Sequence, residues 1–432
     1  MVEEVRRVSD EKPEKLPPPI RYLLRTAGQV AERTGVGAYA VGGFVRDLLL
    51  DRPNLDIDIV AEGDGIAYAG ALAHALGADL AAVPRFGTAH LRLPLQSPEL
   101  PARVDVATAR RETYASSGAL PAVEQAGLDE DLYRRDFTVN AMAIRLTPQG
   151  PGALIDPFGG QSDLVAGQIR ILHPRSFCDD PTRILRAVRF AQRYHFQLEP
   201  GTWEAARSAV EQGCLDTVSM ERLSRELLLI LQEPQSGGAL ATLAELGVLA
   251  RLLPGVTLSA ADKAQLDRVD QLGGEVADLA QAAAAPWLTK LLLLLHTLPL
   301  PQGAALIARL KLNREQSQAL HQSLTGWTTA LAIVKSPDAK PSQVARTFAG
   351  WRPEGLLFLY LLGAGESVTR YWQDWRHVRL AITGADLIRA GVPAGPAIGR
   401  ALAQVLADRL DGAAPDLASQ LALALRYAYE EA

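Results

Sequence analysis

The stretch from Ala38 to Val60, AYAVGGFVRDLLLDRPNLDIDIV, constrains the fold more than any other part of this chain. Ala38 to Val41 is a short apolar run that stops at Gly42-Gly43. Paired glycines let the backbone turn sharply and approach a ligand with no Cβ in the way. Phe44 to Leu50 then reads as a helical turn or two, whose first amides point back at the glycine turn, a natural place to hold phosphate. Arg52-Pro53-Asn54 breaks that helix, and Leu55 to Val60 alternates as a strand does. Alternation puts Asp56 and Asp58 on one face, beside the turn. Two carboxylates one strand repeat apart, next to a phosphate cradle, suit a pair of Mg²⁺ ions gripping a triphosphate. Taken alone, a D-x-D is more simply a half-buried strand whose polar face carries two Asp.

Here GG-x-V-R-D and L-D-I-D-I-V fall within one strand–turn–helix–strand unit. Together they resemble the catalytic signature of the nucleotidyltransferase superfamily, in the form carried by bacterial-type (class II) CCA-adding enzymes and their poly(A) polymerase relatives. The resemblance implies an α/β nucleotidyltransferase (polymerase beta-like) head domain followed by an all-α neck, body and tail. Along this chain that organisation places a leader at 1–18, the catalytic head at 19–165, a neck at 166–235 and a body and tail at 236–432.

Composition bounds this reading. A chain of 432 residues exceeds one ordinary core, so roughly two to four domains are expected. The net charge of −5 announces no global basic field, although a local groove can still be basic. Cys178 and Cys214 are the only cysteines, without a C-x-x-C or a His cluster. That argues against structural zinc and a disulfide scaffold, and fits a reducing cytoplasm. The N-terminal KPEKLPPP is polar and Pro-rich and is no signal peptide. The Leu291–Leu295 run falls far short of the ~20 residues that span a bilayer. A cytoplasmic protein with no membrane partner is expected.

Ile20 to Thr34 carries apolar residues at helical spacing, and Asp64 to Leu76 reads as an Ala-rich helix. Residues 88–93 and 103–107 alternate as strands, with Ala89, Leu91 and Leu93 facing the core and His90 on the polar face. Asp105 is the candidate third carboxylate, able to orient a metal or help activate an attacking hydroxyl; a plain surface Asp is the alternative. Residues 109–133 are polar and poorly periodic and read as a mobile loop. In the family resembled, a flexible loop here is implicated in switching from C to A addition, and Arg110, Arg111 and Glu112 are the residues to watch. Next, Arg134-Arg135-Asp136-Phe137-Thr138-Val139-Asn140-Ala141 matches the family's R-R-D-F-T-x-N-A motif and reads as two arginines, an acid and an apolar helix. Arg135 can grip phosphate in a forked geometry, Asp136 can orient it and Asn140 can contact a ribose. Asp156-Pro157-Phe158-Gly159-Gly160 with Asp163-Leu164 matches the family's D-P-x-G-G…D-L element and is expected to close the head.

From Asp179 the chain reads DDPTRILRAVRFAQRYHF. Pro181 suits the first turn of a helix and Asp180 its N-terminus. Arg183, Arg186 and Arg189 recur every three residues, while Leu185, Val188 and Phe190 pack inward. A solvated basic face is the plain alternative. Asp180 and Arg183, at i and i+3, share a face. Cytosine and adenine each present an exocyclic amino donor beside a ring-nitrogen acceptor, so a carboxylate and a guanidinium can read both. Uracil and guanine present the reverse and leave both protein groups mispaired, which costs enough for strong discrimination. The segment resembles the family's [E/D]-D-x-x-R motif, with Asp179 where Glu is common. Ser219 to Leu227 resembles the E-R-x-x-x-E-L helix, in which Glu221 and Arg222 can buttress the nucleotide pocket, a structural role being the favoured expectation.

Beyond about residue 235 the chain is Ala/Leu-rich and amphipathic, and reads as all-helical. Ile382-Thr383-Gly384-Ala385-Asp386-Leu387, then Gly391 to Arg400, reads as two short helices joined by a Gly/Pro hairpin. It resembles the family's G-x-D-L…G-x-x-x-G-P-x-I-G segment, so amides near Gly384, Gly395 and Gly399 are candidate contacts for RNA phosphate. His296 is followed by Thr297, so no H-D hydrolase signature stands there.

The resemblance implies attack by a tRNA 3′-hydroxyl on CTP or ATP with release of pyrophosphate. Two Mg²⁺ would sit on Asp56 and Asp58. Gly42, Gly43 and Arg46, with Asp47, Arg135, Asp136 and Asn140, would seat the nucleotide, and Asp180, Arg183, Arg186 and Arg189 would line its base pocket. The partner is the acceptor end and top half of tRNA. A poly(A) polymerase of the same family usually carries G-[D/E]-P-x-x-R before the neck, where this chain has Leu172-His173-Pro174-Arg175-Ser176-Phe177. A CC-only or A-only enzyme and a catalytically dead RNA-binding module remain as further alternatives; intact Asp56 and Asp58 argue against the last.

Overall fold

The computed structural model describes residues 16–83, 87–94 and 100–430, so most of the expected leader lies outside the described residues. Contacts divide the chain into two compact units, Met1–Glu226 with Glu245–Arg251, and Leu227–Ala244 with Leu252–Ala432.

The first unit holds strands β1 (Gly37–Val41), β2 (Ile57–Glu62), β3 (Asp79–Val83), β4 (Thr88–Arg92), β5 (Arg103–Thr108), β6 (Arg110–Thr113), β7 (Ala122–Gln125), β8 (Ala143–Thr147) and β9 (Gly150–Ile155). Seven of them form one sheet in the order β3-β4-β5-β2-β1-β8-β9, with β2 and β5 parallel and the other neighbours antiparallel. Helices Pro18–Thr34 and Gly65–Leu76 pack on this sheet and on each other. Leu23, Leu24, Ala27 and Val30 form the buried stripe of the first helix, each large side chain contributing about 1.5–3 kcal/mol by leaving water. The second starts where the Asp64 carboxylate accepts from the Ile66 and Ala67 amides. Tyr39, Val41 and Val60 lie in a second cluster with Leu128 and Leu132. Because strand side chains alternate, Ile57 and Ile59 face the opposite way from Asp58 and Val60. Ala89, Leu91 and Leu93 are buried, as the alternation of 88–93 requires.

Two local expectations are corrected. Residues 109–133 are not a structureless loop: β6 and β7 pair as an antiparallel hairpin, followed by helix Leu128–Tyr133. The hairpin is held by charge rather than by an apolar face, with Arg111 directly opposite Glu124 and ion-paired to it. Residues 137–143 do not form a helix beyond one 3₁₀ turn, Thr138–Asn140. The Thr138 amide donates instead to the Arg170 carbonyl, and Phe137 forms a bridge with Ile171, which pulls this backbone out of helical geometry.

Among the described residues, helices are the only regular elements of the second unit. One core gathers Val344, Phe348, Leu356, Leu357 and Val368; another gathers Ile382, Leu387, Val392, Val405 and Ala424. Fully buried Lys290 is neutralised by Asp270 at 2.8 Å and also donates to the Glu233 carbonyl. Buried Gln420 satisfies the Ala381 amide and the Ala414 carbonyl, tying the C-terminal helix Leu417–Glu430 beneath the tail hairpin.

Candidate active site

Strand register sets the first wall of the site. Val41, the last residue of β1, pairs with Asp58 on β2, and Asp58 pairs with Asp105 on β5. The chain then turns at Gly42, whose φ of 69° is a conformation that favours glycine. A Cβ at Gly42 would stand 2.8 Å from an Arg135 guanidinium nitrogen, so a larger residue there would displace that guanidinium. Helix Gly43–Leu49 follows.

A cavity of about 680 Å³ opens here. Gly42, Gly43, Arg46, Asp47, Asp56 and Asp58 line one side, Arg135, Asp136 and Asn140 the next, and Asp180, Arg183, Arg186 and Arg189 the third. Every expected head and neck residue is thus brought together except Asp105, which does not line the cavity. Its carboxylate is held by His90 at 2.8 Å and by Arg103.

Burial, then the charge of Asp56, pushes the Asp58 carboxyl up to about 6 against the opposing pull of Arg135. Neither Asp56 nor Asp58 has an ion-pair partner among the described residues, and no group of three or more metal-ligating side chains occurs there. Two adjacent carboxylates left repelling each other fit a divalent cation whose remaining ligands come from elsewhere, as phosphate oxygens do. Asn54 fixes this wall: its side chain accepts from the Asp56 amide and donates to Asp47, each at 2.7 Å.

Arg46 has its fork on Asp47, at 2.9 Å for both bonds, and a third donor on Asn140 at 2.6 Å; its guanidinium lies over the Tyr194 ring. Asn140 in turn donates to Asp136. Arg46 and Asn140 therefore brace one another on the cavity wall. Arg135 is less committed: Nη2 meets Asp131 at 2.9 Å, while its buried Nε has no hydrogen-bond partner. Burial works to raise Asp131, but Arg135 and Arg134 override it and hold this carboxyl below the usual range.

On the third wall, Arg183, Arg186 and Arg189 each have a partner. Arg186 donates twice to Asp136, at 3.0 and 2.6 Å. Burial of Asp136 opposes ionisation, yet Arg186 and the Asn140 bond hold its carboxyl below the ordinary value. Arg189 pairs with Glu226 at 3.2 Å. Arg183 donates to the Ser176 hydroxyl and to the Arg134 carbonyl. Arg183 and Arg189 are buried, so this is no solvated basic face. Asp180 begins helix Thr182–Tyr194, accepting from the Thr182 amide and hydroxyl.

Three contributors stand outside the expected site residues: Glu112 was only a residue to watch in the expected loop, Arg222 was expected to be structural, and Tyr114 was not anticipated. Glu112 holds Arg110, Arg134 and the Tyr114 hydroxyl, and both Glu112 and Tyr114 line the cavity. Burial and the neighbouring Glu112 charge push the Tyr114 hydroxyl up to about 12. Arg222 reaches Asp180 at 2.9 Å, whereas Glu221 pairs with Arg225 on an exposed face. The charged run Arg110-Arg111-Glu112 was the available signal for Glu112; Tyr114 had none, and Arg222 had its motif. In the tail, Gly384 packs against Ile398 and caps with Thr383 and Asp386, while Gly395 and Gly399 have open space beside their α-carbons.

Comparison with known proteins agrees with this arrangement. The poly A polymerase head domain family matches residues 38–170, and a probable RNA- and SrmB-binding site of polymerase A matches 195–258. The A-adding tRNA nucleotidyltransferase of Geobacter sulfurreducens is 36% identical over 96% of this chain, which spans only 48% of that relative's length. The A-adding tRNA nucleotidyltransferase of Halalkalibacterium halodurans is 33% identical over 87% of this chain and 84% of its own. The CC-adding tRNA nucleotidyltransferase of Deinococcus radiodurans is 34% identical over 86% and 84%. A Thermotoga maritima CCA-adding enzyme complexed with tRNA superposes with a TM-score of 0.79 at 32% identity, covering 97% of this chain and 98% of that one. No helix among the described residues is long and apolar enough to cross a membrane. With the Halalkalibacterium and Deinococcus relatives aligned along most of both chains, and with the paired carboxylates, the R-R-D segment and the Asp180–Arg183 pair gathered in one cavity, the chain belongs to the tRNA nucleotidyltransferase family built on a poly(A) polymerase head domain.

Proposed function

We propose that the chain extends the 3′ end of tRNA from CTP and ATP without a nucleic-acid template, and that the terminal A is among the nucleotides it adds. One observation carries this reading: a single cavity holds both an unpaired carboxylate couple and a carboxylate–guanidinium couple. The first suits phosphoryl transfer and the second suits reading a base that offers an amino donor beside a ring nitrogen. The names of the Geobacter and Halalkalibacterium relatives support the terminal-A assignment.

Asp56 and Asp58 would hold the divalent cations, two Mg²⁺ in this reading. Bound there, such ions stabilise charge on the attacking and leaving oxygens of an in-line displacement. Arg135, whose Nη1 stands beside Gly42, and the Gly42–Gly43 turn hold the triphosphate. Asp180 accepts from the exocyclic amino group and Arg183 donates to the ring nitrogen, which admits C and A and rejects U and G. The tRNA 3′-hydroxyl attacks the α-phosphorus and pyrophosphate leaves. The tRNA acceptor end and top half are recognised by shape and backbone, and the work is cytoplasmic.

Single-nucleotide incorporation on three tRNA transcripts tests this: one lacking CCA, one ending in CC, one complete. CTP and ATP are offered separately and together with Mg²⁺. A added to the CC transcript and nothing to the complete one is expected; full CCA on the first makes the chain a complete CCA enzyme. Addition that stops at CC, the activity in the name of the Deinococcus relative, overturns the terminal-A assignment. Long A tails on any RNA overturn the tRNA assignment.

A further inference from the structure

The two oxygens of Asp180 are not equivalent. Oδ1 takes every hydrogen bond that reaches this carboxylate: from the Thr182 amide at 3.1 Å, the Thr182 hydroxyl at 2.6 Å and Arg222 Nη2 at 2.9 Å. Oδ2 takes none among the described residues. The Thr182 bonds are local and come with the helix start. Arg222 comes from helix Met220–Gln232, 42 residues away in sequence, and adds a charge-assisted bond.

The other arm of Arg222 reaches elsewhere. Nη1 donates at 3.1 Å to the carbonyl of Gly118, between β6 and β7. That tip is closely seated: Gly118 has a φ of +69°, and a Cβ on it would stand 2.4 Å from the Thr217 hydroxyl oxygen. The same hairpin supports Arg183 from its other end. Arg183 donates to the Arg134 carbonyl at 2.7 Å, and the Arg134 guanidinium is held by Glu112 of β6 at 3.2 Å. One hairpin therefore braces both members of the pair, and Arg222 is the link on the Asp180 side.

Resting on the base-selection reading above, we propose that Arg222 is a positioning residue for nucleotide choice: it withdraws Oδ1, leaves Oδ2 to the incoming base and ties Asp180 to the hairpin tip. A carboxylate selects between amino and carbonyl groups only while its direction is held, and a side chain freed to rotate loses that discrimination before it loses turnover.

The test is kcat/KM for ATP, CTP, UTP and GTP on tRNA transcripts, with melting temperature as a folding control. Arg222→Gln is expected to lower the ratio of correct to incorrect nucleotides on the order of tenfold. Arg222→Lys, which reaches one partner but not both, is expected to restore part of it, and it also serves if the Gln variant fails to fold. Gly118→Ala, which disturbs the tip without touching Asp180, is expected to shift the ratio the same way. Asp180→Ala separates the two levels. If it loses selectivity while both Arg222 variants keep the parent ratio, or slow all four nucleotides equally, the role of Arg222 is overturned. If Asp180→Ala itself keeps the parent ratio, base selection does not run through Asp180 and the underlying reading falls as well.

Discussion

The two sides of the cavity treat charge in opposite ways. On the Asp56–Asp58 side, like charges are pressed together, and burial with Asp56 lifts the Asp58 carboxyl to about 6. On the Thr182–Tyr194 helix, three of the arginines that line the cavity have fixed partners: Arg183 on Ser176 and a carbonyl, Arg186 on Asp136, Arg189 on Glu226. The first side is complete only when a ligand brings positive charge. On the second, these three arginines are fixed before any ligand arrives. Chemistry and selection are thus built on different terms, one on a tension that binding relieves and the other on preorganisation.

The same Asp→Asn change should therefore act oppositely on the two sides. Asp58→Asn is expected to reduce incorporation by at least about 10³-fold, because phosphoryl transfer depends on the paired carboxylates. It should also raise folding stability by about 1–2 kcal/mol at neutral pH, since it removes a buried charge that its neighbour repels. Incorporation assays and thermal melts on one preparation check both; an active variant, or one that melts lower, breaks the comparison. Asp136→Asn is the mirror case. It strips Arg186 of its charged partner and should cost about 2 kcal/mol in the same melt. The loss stays below that of a fully buried pair because the Arg186 side chain is 34% exposed. A variant as stable as the parent would show that the third wall is not held by that pair.

How much of this was legible follows from where the partners lie. The Gly42–Gly43 turn, the β2 alternation and the i, i+3 spacing of Asp180 and Arg183 are local patterns, and each placed its residues on the cavity. The β6–β7 hairpin was not legible, because its strands are only four residues each, Arg-Arg-Glu-Thr and Ala-Val-Glu-Gln, with no apolar face to announce a sheet. Residues 137–143 misled because a short apolar run fits a helix as well as a bridge to Ile171. Asn54 read only as a helix breaker, yet it joins the Asp56 amide to Asp47. Arg222 meets partners 42 and 104 residues away, and no period in the sequence carries that information.

A smaller effect sharpens the same contrast through pH. Asp131 and Asp136 have carboxyls held below the ordinary value of 3.8 by neighbouring arginines, in spite of burial. Their folded pKa lies below the unfolded one, so the stability they contribute is present above the ordinary carboxylate range and is lost as pH falls through the depressed values. Melting temperature should therefore fall on acidification below about pH 4. Asp131→Asn should start lower and decline less steeply over that range; an unchanged slope would mean that Asp131 is not among the groups that bind protons on unfolding.

The smallest effect belongs to Glu221, the immediate neighbour of Arg222. Successive helical residues point about 100° apart, so adjacency in a motif does not imply a shared role. Arg222 turns inward to Asp180, whereas Glu221 meets Arg225 at 3.6 Å with both side chains about 70% exposed. An exposed i, i+4 pair of that length is screened by water and contributes little. Glu221→Ala should shift stability by no more than about 0.5 kcal/mol and leave the ratio of correct to incorrect nucleotides unchanged. Measured beside Arg222→Gln, it separates one residue facing the selecting wall from one facing solvent on the same helical turn. A loss of selectivity from Glu221→Ala would mean that the whole turn, rather than the guanidinium it delivers, sets the direction of Asp180.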